Sequence, residues 1–409
     1  MYTRAIDAIS PVLTGRGEVA DRILAMLLAL TIAVPAFMTG DRSMKPLFYA
    51  LFILPTLALI VTGRISLKEI FRDVPLLALL AIPLLYWSAT NLWTVGPDVF
   101  LSFLRRSLTL AVFLCGVAHL VRSVGREFEA YLDFALFLVA LGAALILVRL
   151  PFVEPPGPVW RPGDGSVFNR ALHASHYFGF FATYALVRAY QVHSMRRALA
   201  MLLAGTLCLA FVFATESRGT LVSLAGAGLV ISVYWQRRYR HALVLLLVCA
   251  VGFLAMHEML LQRGFSYRGE IWAGSVDLVG EYFWFGAGMG SNLEVAYGDK
   301  FLAPHAHNLL LDVQIKSGFF GLLLFLVIVG FIVWRVLVGR PEERVFSATL
   351  LFFLLCVTSD VHKLINSPTT SYIIFWLPLA GLLVTYSTGA QTARSLSPAG
   401  RGQSLAENE

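Results

Sequence analysis

Apolar residues occur along this chain in long blocks separated by short polar stretches, not in the two-residue alternation of a half-buried strand. The blocks fall at about 23–39, 46–62, 75–93, 105–121, 130–150, 171–192, 198–214, 219–235, 241–256, 309–334, 345–362 and 370–387. A membrane-spanning helix takes roughly 20 apolar residues. The pattern therefore predicts an all-α polytopic integral membrane protein with about twelve transmembrane helices. It divides the chain into an N-terminal segment (1–22), nine spans (23–256), one large loop (257–304), three more spans (305–387) and a small polar tail (388–409) expected to be disordered. A charged stretch containing Arg4, Asp7, Arg16, Glu18, Asp21 and Arg22 precedes the first block, which reads as an uncleaved signal anchor.

Composition narrows the class. Of 409 residues, 58% are hydrophobic and 14% charged, against about a quarter charged in a soluble domain. A soluble multidomain enzyme, a disordered chain and a nucleic-acid-binding module are excluded. The net charge of +7 then reads as loop charge facing anionic lipid rather than as affinity for nucleic acid. Arginines number 27 of the 32 basic residues, the lysines being Lys45, Lys68, Lys300, Lys316 and Lys363. That bias suits phosphate binding and fits a genome-wide preference equally well. Cys115, Cys208, Cys249 and Cys356 lie far apart in apolar runs, with no metal-ligand spacing.

Charge also orients the chain. With Arg105, Arg106 and Lys316 at or within span edges left out, the tails and even-numbered loops carry 19 Lys and Arg, the odd-numbered loops 10. Basic loops stay cytoplasmic, so both termini are expected inside and the odd loops outside. Two of these outward loops are long. Residues 151–170 are rich in Pro and Gly and read as ordered turns. Within 257–304, Trp272, Val276, Val279 and Phe283 recur at helical spacing. That amphipathic helix would either lie in the membrane interface or pack on the span ends.

Ionisable residues near spans are the informative ones in so apolar a chain, and three clusters fall on the outward side. They are Glu216-Ser217-Arg218-Gly219-Thr220, then Tyr267-Arg268-Gly269-Glu270-Ile271-Trp272, then His305-Ala306-His307-Asn308 where the large loop re-enters the membrane. Shared loop parity is what lets them meet. Each has a plain reading too. Arginines at span edges commonly snorkel, and the histidines could merely open a helix capped by Asn308. A metal set of His173, His176, His305 and His307 lacks a completing carboxylate or Cys. Gly286, Gly288 and Gly290 have no βαβ context and read as a tight turn, not a phosphate cradle. Asp312 and Lys316 stand four apart and neutralise each other. Asp360, His362 and Lys363 read as a structural polar cluster at the outward end of a span, while Arg161 and Arg170 could add positive charge nearby.

The order Ser-Arg-Gly, Arg with Trp four residues on, FGAGMG (Phe285 to Gly290), His-Asn, then an apolar helix with GFFG (Gly318 to Gly321) resembles the O-antigen ligase and polymerase superfamily. By motif the resemblance covers roughly 200–335, and elsewhere only topology, which is similar to the ligase branch. It implies a GT-C-like inverting glycosyltransferase of the bacterial inner membrane with a periplasmic site. Such an enzyme moves a glycan from undecaprenyl pyrophosphate to a sugar hydroxyl of lipid A-core, without metal, nucleotide or other cofactor. The matching positions are Arg218, Arg268 and His307 as catalytic residues, the two arginines also binding substrate together with His305 and Asn308. The chemistry of the side chains agrees. Arginine neutralises a departing pyrophosphate with planar, bidentate donors, and histidine accepts a hydroxyl proton near neutral pH. Expected partners are the lipid-linked glycan, lipid A-core and membrane lipid, with no nucleic acid. An O-antigen polymerase or protein O-oligosaccharyltransferase shares this chemistry, and a transporter or lipid flippase shares the span count.

The topology is directly testable. A fluorescent protein fused after Glu409 should fluoresce in the cytoplasm, and alkaline phosphatase fused after Gly290 should be active outside. An inactive phosphatase fusion would invert the orientation.

Overall fold

The structure, a computed structural model, describes residues 19–38, 44–152, 161–162, 168, 170–235, 267–297 and 301–395. The expected span at 241–256, most of loop 151–170, the start of the large loop, the first 18 residues and the end of the tail lie outside the described residues. The chain is otherwise a helical bundle: α1 (Val19–Ala33), α2 (Met44–Val61), α3 (Leu67–Asp73), α4 (Pro75–Ala89), α5 (Pro97–Ser123), α6 (Glu127–Arg149), α7 (Ala171–Gln191), α8 (Met195–Ala214), α9 (Arg218–Leu229), α10 (Arg268–Glu281), α11 (Leu309–Val338), α12 (Arg344–Cys356) and α13 (Tyr372–Gln391). One short antiparallel hairpin, β1 (Val295–Tyr297) with β2 (Phe301–Ala303), pairs Val295 with Ala303.

Among the described residues, seven helices (α1, α2, α5, α6, α8, α11 and α13) are long and apolar enough to cross a membrane. The α3–α4 pair would be an eighth, bent by 104°. The bend falls at Val74, which precedes Pro75 and is held at φ −127°, ψ 67°, outside the helical region that the proline ring disfavours for its neighbour. This is a polytopic membrane protein. Several expected spans differ in extent. The block at 345–362 is helical only to Cys356, because Thr358 and Ser359 turn their hydroxyls onto the Leu355 and Cys356 carbonyls and compete with the helix. The tail is helical past 387, through Ser395, with Gln391 donating to the Asp73 carbonyl at 3.2 Å.

Charges gather at two ends of the bundle. At one, α7 and α11 end and α12 begins, with Gln191 donating to the Pro341 carbonyl. Arg188 there grips Asp133 at 2.9 Å and Arg335 grips Glu343 at 2.5 Å, each buried base matched by an acid. At the other end α7, α9 and α11 begin and α12 stops, the Leu309 N–H donating to the Val357 carbonyl.

The large loop is latched into a break in α11. Gly318 has φ 66°, ψ −173° inside the helix. The Phe319 N–H donates to the Phe283 carbonyl at 2.7 Å and Ala287 N–H to Ile315 at 2.8 Å. Carbonyls at the break are taken by Tyr86 Oη (Ser317) and Trp87 Nε1 (Gly321), each at 3.2 Å, as hydrocarbon requires. The Gly-rich run is thus a packing device. A Cβ on Gly286 would come 2.4 Å from the Lys316 carbonyl, and the Gly290 N–H donates to Asn91 Oδ1 at 2.7 Å.

A Cβ at Gly318 would sit 2.3 Å from the Trp284 carbonyl oxygen on a left-handed backbone. Gly318→Ala should therefore destabilise the protein by about 1–3 kcal/mol or more, read as a lower melting temperature in detergent. An unchanged melting temperature would contradict the latch.

Candidate active site

The site is built where three helices begin. Arg218 is the first residue of α9, Arg268 the first of α10, and His307 stands two residues before α11. Helix N-termini favour anions. Each start is entered through a non-glycine residue at positive φ: Glu216 (54°), Tyr267 (56°) and His307 itself (49°). Backbone strain of this kind concentrates at functional sites, and among the described non-glycine residues it occurs at these three. Asn308 caps α11, accepting from the Leu310 and Leu311 N–H groups at 2.9 and 3.2 Å and donating to the Thr358 carbonyl at 3.1 Å. Its amide is engaged within the fold, and it ties the His307 loop to the segment after α12.

That segment carries the residue that joins the site. Asp360 is buried, its side chain 1% exposed. It has His307 Nδ1 at 3.8 Å, His173 Nε2 at 3.8 Å and His176 Nδ1 at 3.9 Å. His176 Nδ1 is hydrogen-bonded to His362 Nε2 at 2.7 Å. Neither Asp360 oxygen makes a hydrogen bond of normal geometry, although the Val361 N–H favours its charged form. His307 Nδ1 and Arg268 Nε are likewise buried without a partner among the described residues. Unpaired buried polar groups are costly, and here they surround one place. Gly219 approaches Ser359 so closely that a Cβ would lie 2.8 Å from its Oγ, which sets the start of α9 beside Asp360.

Burial, opposed by His173, Arg268 and Arg170, raises the Asp360 carboxyl above its ordinary value. Burial first, then Arg268 and Arg170, pushes His307 down to about 4. His305 is pushed down to about 3 by burial and then by His307, Arg170 and Lys316. Arg170 Nη1 donates to His305 Nε2 at 3.2 Å, while the His307 N–H points at His305 Nδ1 at 3.3 Å. A neutral imidazole accepts at one nitrogen and a protonated one at neither, so whichever of the two contacts forms requires a neutral His305. At pH 7 both histidines are neutral.

The structure thus brings Arg268, His307 and His305 into one electrostatic group and sets the helix that Arg218 opens beside the segment carrying Asp360. Asp360, read from sequence as part of a structural polar cluster, sits instead at the centre. The available signal was its charge at the end of an apolar block. Asp360 also supplies the carboxylate that the four-histidine metal set lacked. His173, Asp360 and His362 offer ligand atoms within 4.8 Å of one another, as do His305, His307 and Asp360. A zinc ion would need ligands drawn in to about 2.0–2.2 Å, beside the positive charge of Arg268 and Arg170.

A cavity of about 600 Å³ opens against His173, His305 and His362. The described residues thus combine neutral histidines, permanent cations and a cavity at one end of a helical membrane bundle. Comparison with known proteins is specific. Residues 201–326, which hold all three motif clusters, match the O-antigen ligase family model. The chain is 29% identical over 361 residues to an O-antigen ligase of Pseudomonas aeruginosa, covering 86% of this chain and 88% of that protein. The resemblance seen in the motifs therefore extends over most of the chain.

The histidine values carry a sign. Unfolded histidine titrates near 6.5, so between about 6.5 and 4 the unfolded chain binds more protons than the folded one. Stability is then full above about pH 6.5 and is lost as pH falls toward 4. Melting temperature in detergent should drop across that window, and less steeply in His307→Gln. Parallel slopes for the two proteins would contradict a neutral His307.

Proposed function

We propose that this protein is an O-antigen ligase of the bacterial inner membrane, with about twelve spans in a GT-C-like arrangement and its site on the periplasmic face. It transfers a glycan from undecaprenyl pyrophosphate to a sugar hydroxyl of lipid A-core, with inversion and without a metal. The observation that carries this reading is the neutral His307 held between Asp360 and Arg268, inside the stretch that matches the family.

In the reaction, the acceptor hydroxyl gives its proton to His307 Nε2 while its oxygen bonds to the anomeric carbon of the donor sugar. The bond from that carbon to the pyrophosphate oxygen breaks on the opposite face, and its electron pair leaves on the pyrophosphate. Arg218 and Arg268 bind the pyrophosphate and stabilise that charge with bidentate donors. Asp360 faces Nδ1 of the imidazole and stabilises the imidazolium that forms, a contact expected to tighten from 3.8 Å once substrate is bound. His305 shares substrate binding, and Asn308 holds His307 in place through the α11 cap and Thr358. The apolar side chains that α10 leaves exposed, Trp272 and Val276, suit the membrane interface, while Ile271 on its other side packs with Val295 and Ile315.

His307→Ala should lower transfer at least about 10²-fold and abolish long-chain lipopolysaccharide, with the protein still inserted and lipid-linked donor accumulating. Protein washed with EDTA should retain the wild-type rate. Normal ligation in the variant would overturn the base assignment, and a loss on chelation restored by zinc would overturn metal independence. Elongation of a second lipid-linked glycan in place of lipid A-core would make the enzyme a polymerase.

A further inference from the structure

Lysine is scarce in this chain, with 5 against 27 arginines, yet Lys45, Lys316 and Lys363 all line the 600 Å³ cavity beside the histidines. They come from three separate places: the start of α2, the middle of α11 and the segment after α12. A genome-wide arginine preference does not place lysines together. Arg170 adds a fourth cation to the same lining, and Glu294 is the one acid among its described residues. With Lys316 paired to Asp312, the remaining balance is three positive charges, Lys45, Lys363 and Arg170, to one negative among the described lining residues. A neighbouring cavity of about 390 Å³ shares Lys316 and Lys363 and brings in Arg106, with Asp98 and Asp312 as its acids. Asp312 is engaged by Lys316 at 2.9 Å. Burial, and then Lys316 and Arg106, push the Lys363 ammonium below its ordinary value, as expected where cations outnumber acids.

Arg218 and Arg268, assigned to the donor pyrophosphate, do not line this cavity. His305 does, and its ring lies 4.1 Å, centroid to centroid, from that of His307. His307 therefore feels Arg268 and, through His305, adjoins the cationic cavity. A reaction with two lipid-borne substrates and one base between them has an acceptor side, and a surplus of charge there calls for an anion on the acceptor. Thr369 and Ser371, also in the lining and 3.0 Å apart, supply hydroxyl donors of the kind phosphate oxygens accept.

We infer that Lys45, Lys316 and Lys363 form a second anion subsite, which binds a phosphate monoester carried by the acceptor glycolipid and so seats its hydroxyl at His307. This rests on the ligase reading above. Lysine suits the task as a mobile point charge, able to follow a phosphate whose position depends on a flexible sugar chain.

The test uses the full chain in lipid nanodiscs and the variants Lys45→Ala, Lys363→Ala and Lys363→Arg, with phosphorylated and phosphatase-treated lipid A-core as acceptors. Each alanine variant should raise KM for the phosphorylated acceptor about tenfold, the loss of one charge-assisted contact, and leave donor KM unchanged. The wild type should show the same rise on the dephosphorylated acceptor, where the alanine variants lose nothing further, and Lys363→Arg should restore KM. A rise in donor KM, equal losses on both acceptors, or no change would overturn the subsite. Binding of phosphorylated glycolipid without donor, followed by tryptophan fluorescence, is the second measurement. It should weaken in the alanine variants and resist competition by phosphatidylglycerol or inorganic phosphate at equal concentration. Equal competition by phosphatidylglycerol would make this a headgroup site, and equal competition by inorganic phosphate a free-phosphate site, and either would overturn the acceptor assignment. Should wild-type protein transfer no glycan, the ligase reading fails by itself, and the binding comparison alone decides the subsite.

Discussion

An ionised side chain is expensive in hydrocarbon, and a carboxylate buried at the end of a membrane bundle survives only with compensation. Asp360 is such a group. Its compensation comes from imidazoles on α7, on the loop before α11 and on its own segment, and from the fields of Arg268 and Arg170. None of these contacts is a close ion pair. The carboxylate is therefore held in place without being satisfied, as is His307 Nδ1 beside it. A cluster arranged this way keeps His307 neutral and leaves its polar atoms open to further contacts. The opposite end of the bundle differs: Arg188 and Arg335 are each locked to an acid within 3 Å, which holds structure together and leaves nothing to react.

The break in α11 serves the same end. With Gly318 in a left-handed conformation, the first turns of α11 are decoupled from the rest of the span, and the Phe283–Ala287 strip inserts alongside. The helix start is then fixed by its cap, Asn308, and by Thr358. His307 is held at φ 49° by this network on both sides, a conformation that free chains rarely adopt. Glycines in the FGAGMG and GFFG runs thus act at a distance, by letting backbones approach closely enough to set where the His307 loop lies.

Much of this was legible in the sequence. Apolar blocks located the helices, loop parity grouped Arg218, Arg268 and His307, and the amphipathic spacing around Trp272 marked α10, which runs from Arg268 to Glu281. Each of these signals is local, a matter of what neighbours along the chain can do in lipid. Where a helix stops was less legible. Thr358 and Ser359 end α12 early through hydroxyl competition that hydropathy does not register, and the hairpin of β1 and β2 is too short to show a period.

By itself the sequence determined the solvent and the helical class, and it marked Arg218, Arg268 and His307 as candidates, because burial in a bilayer and the chemistry of Arg and His act on each segment separately. Only the tertiary structure decided that Asp360 joins those residues, that His173, His176 and His362 surround it, and that three of five lysines face one cavity. Those are meetings between residues up to about 320 positions apart, Lys45 and Lys363 among them. They depend on how helices pack, and no local pattern records that.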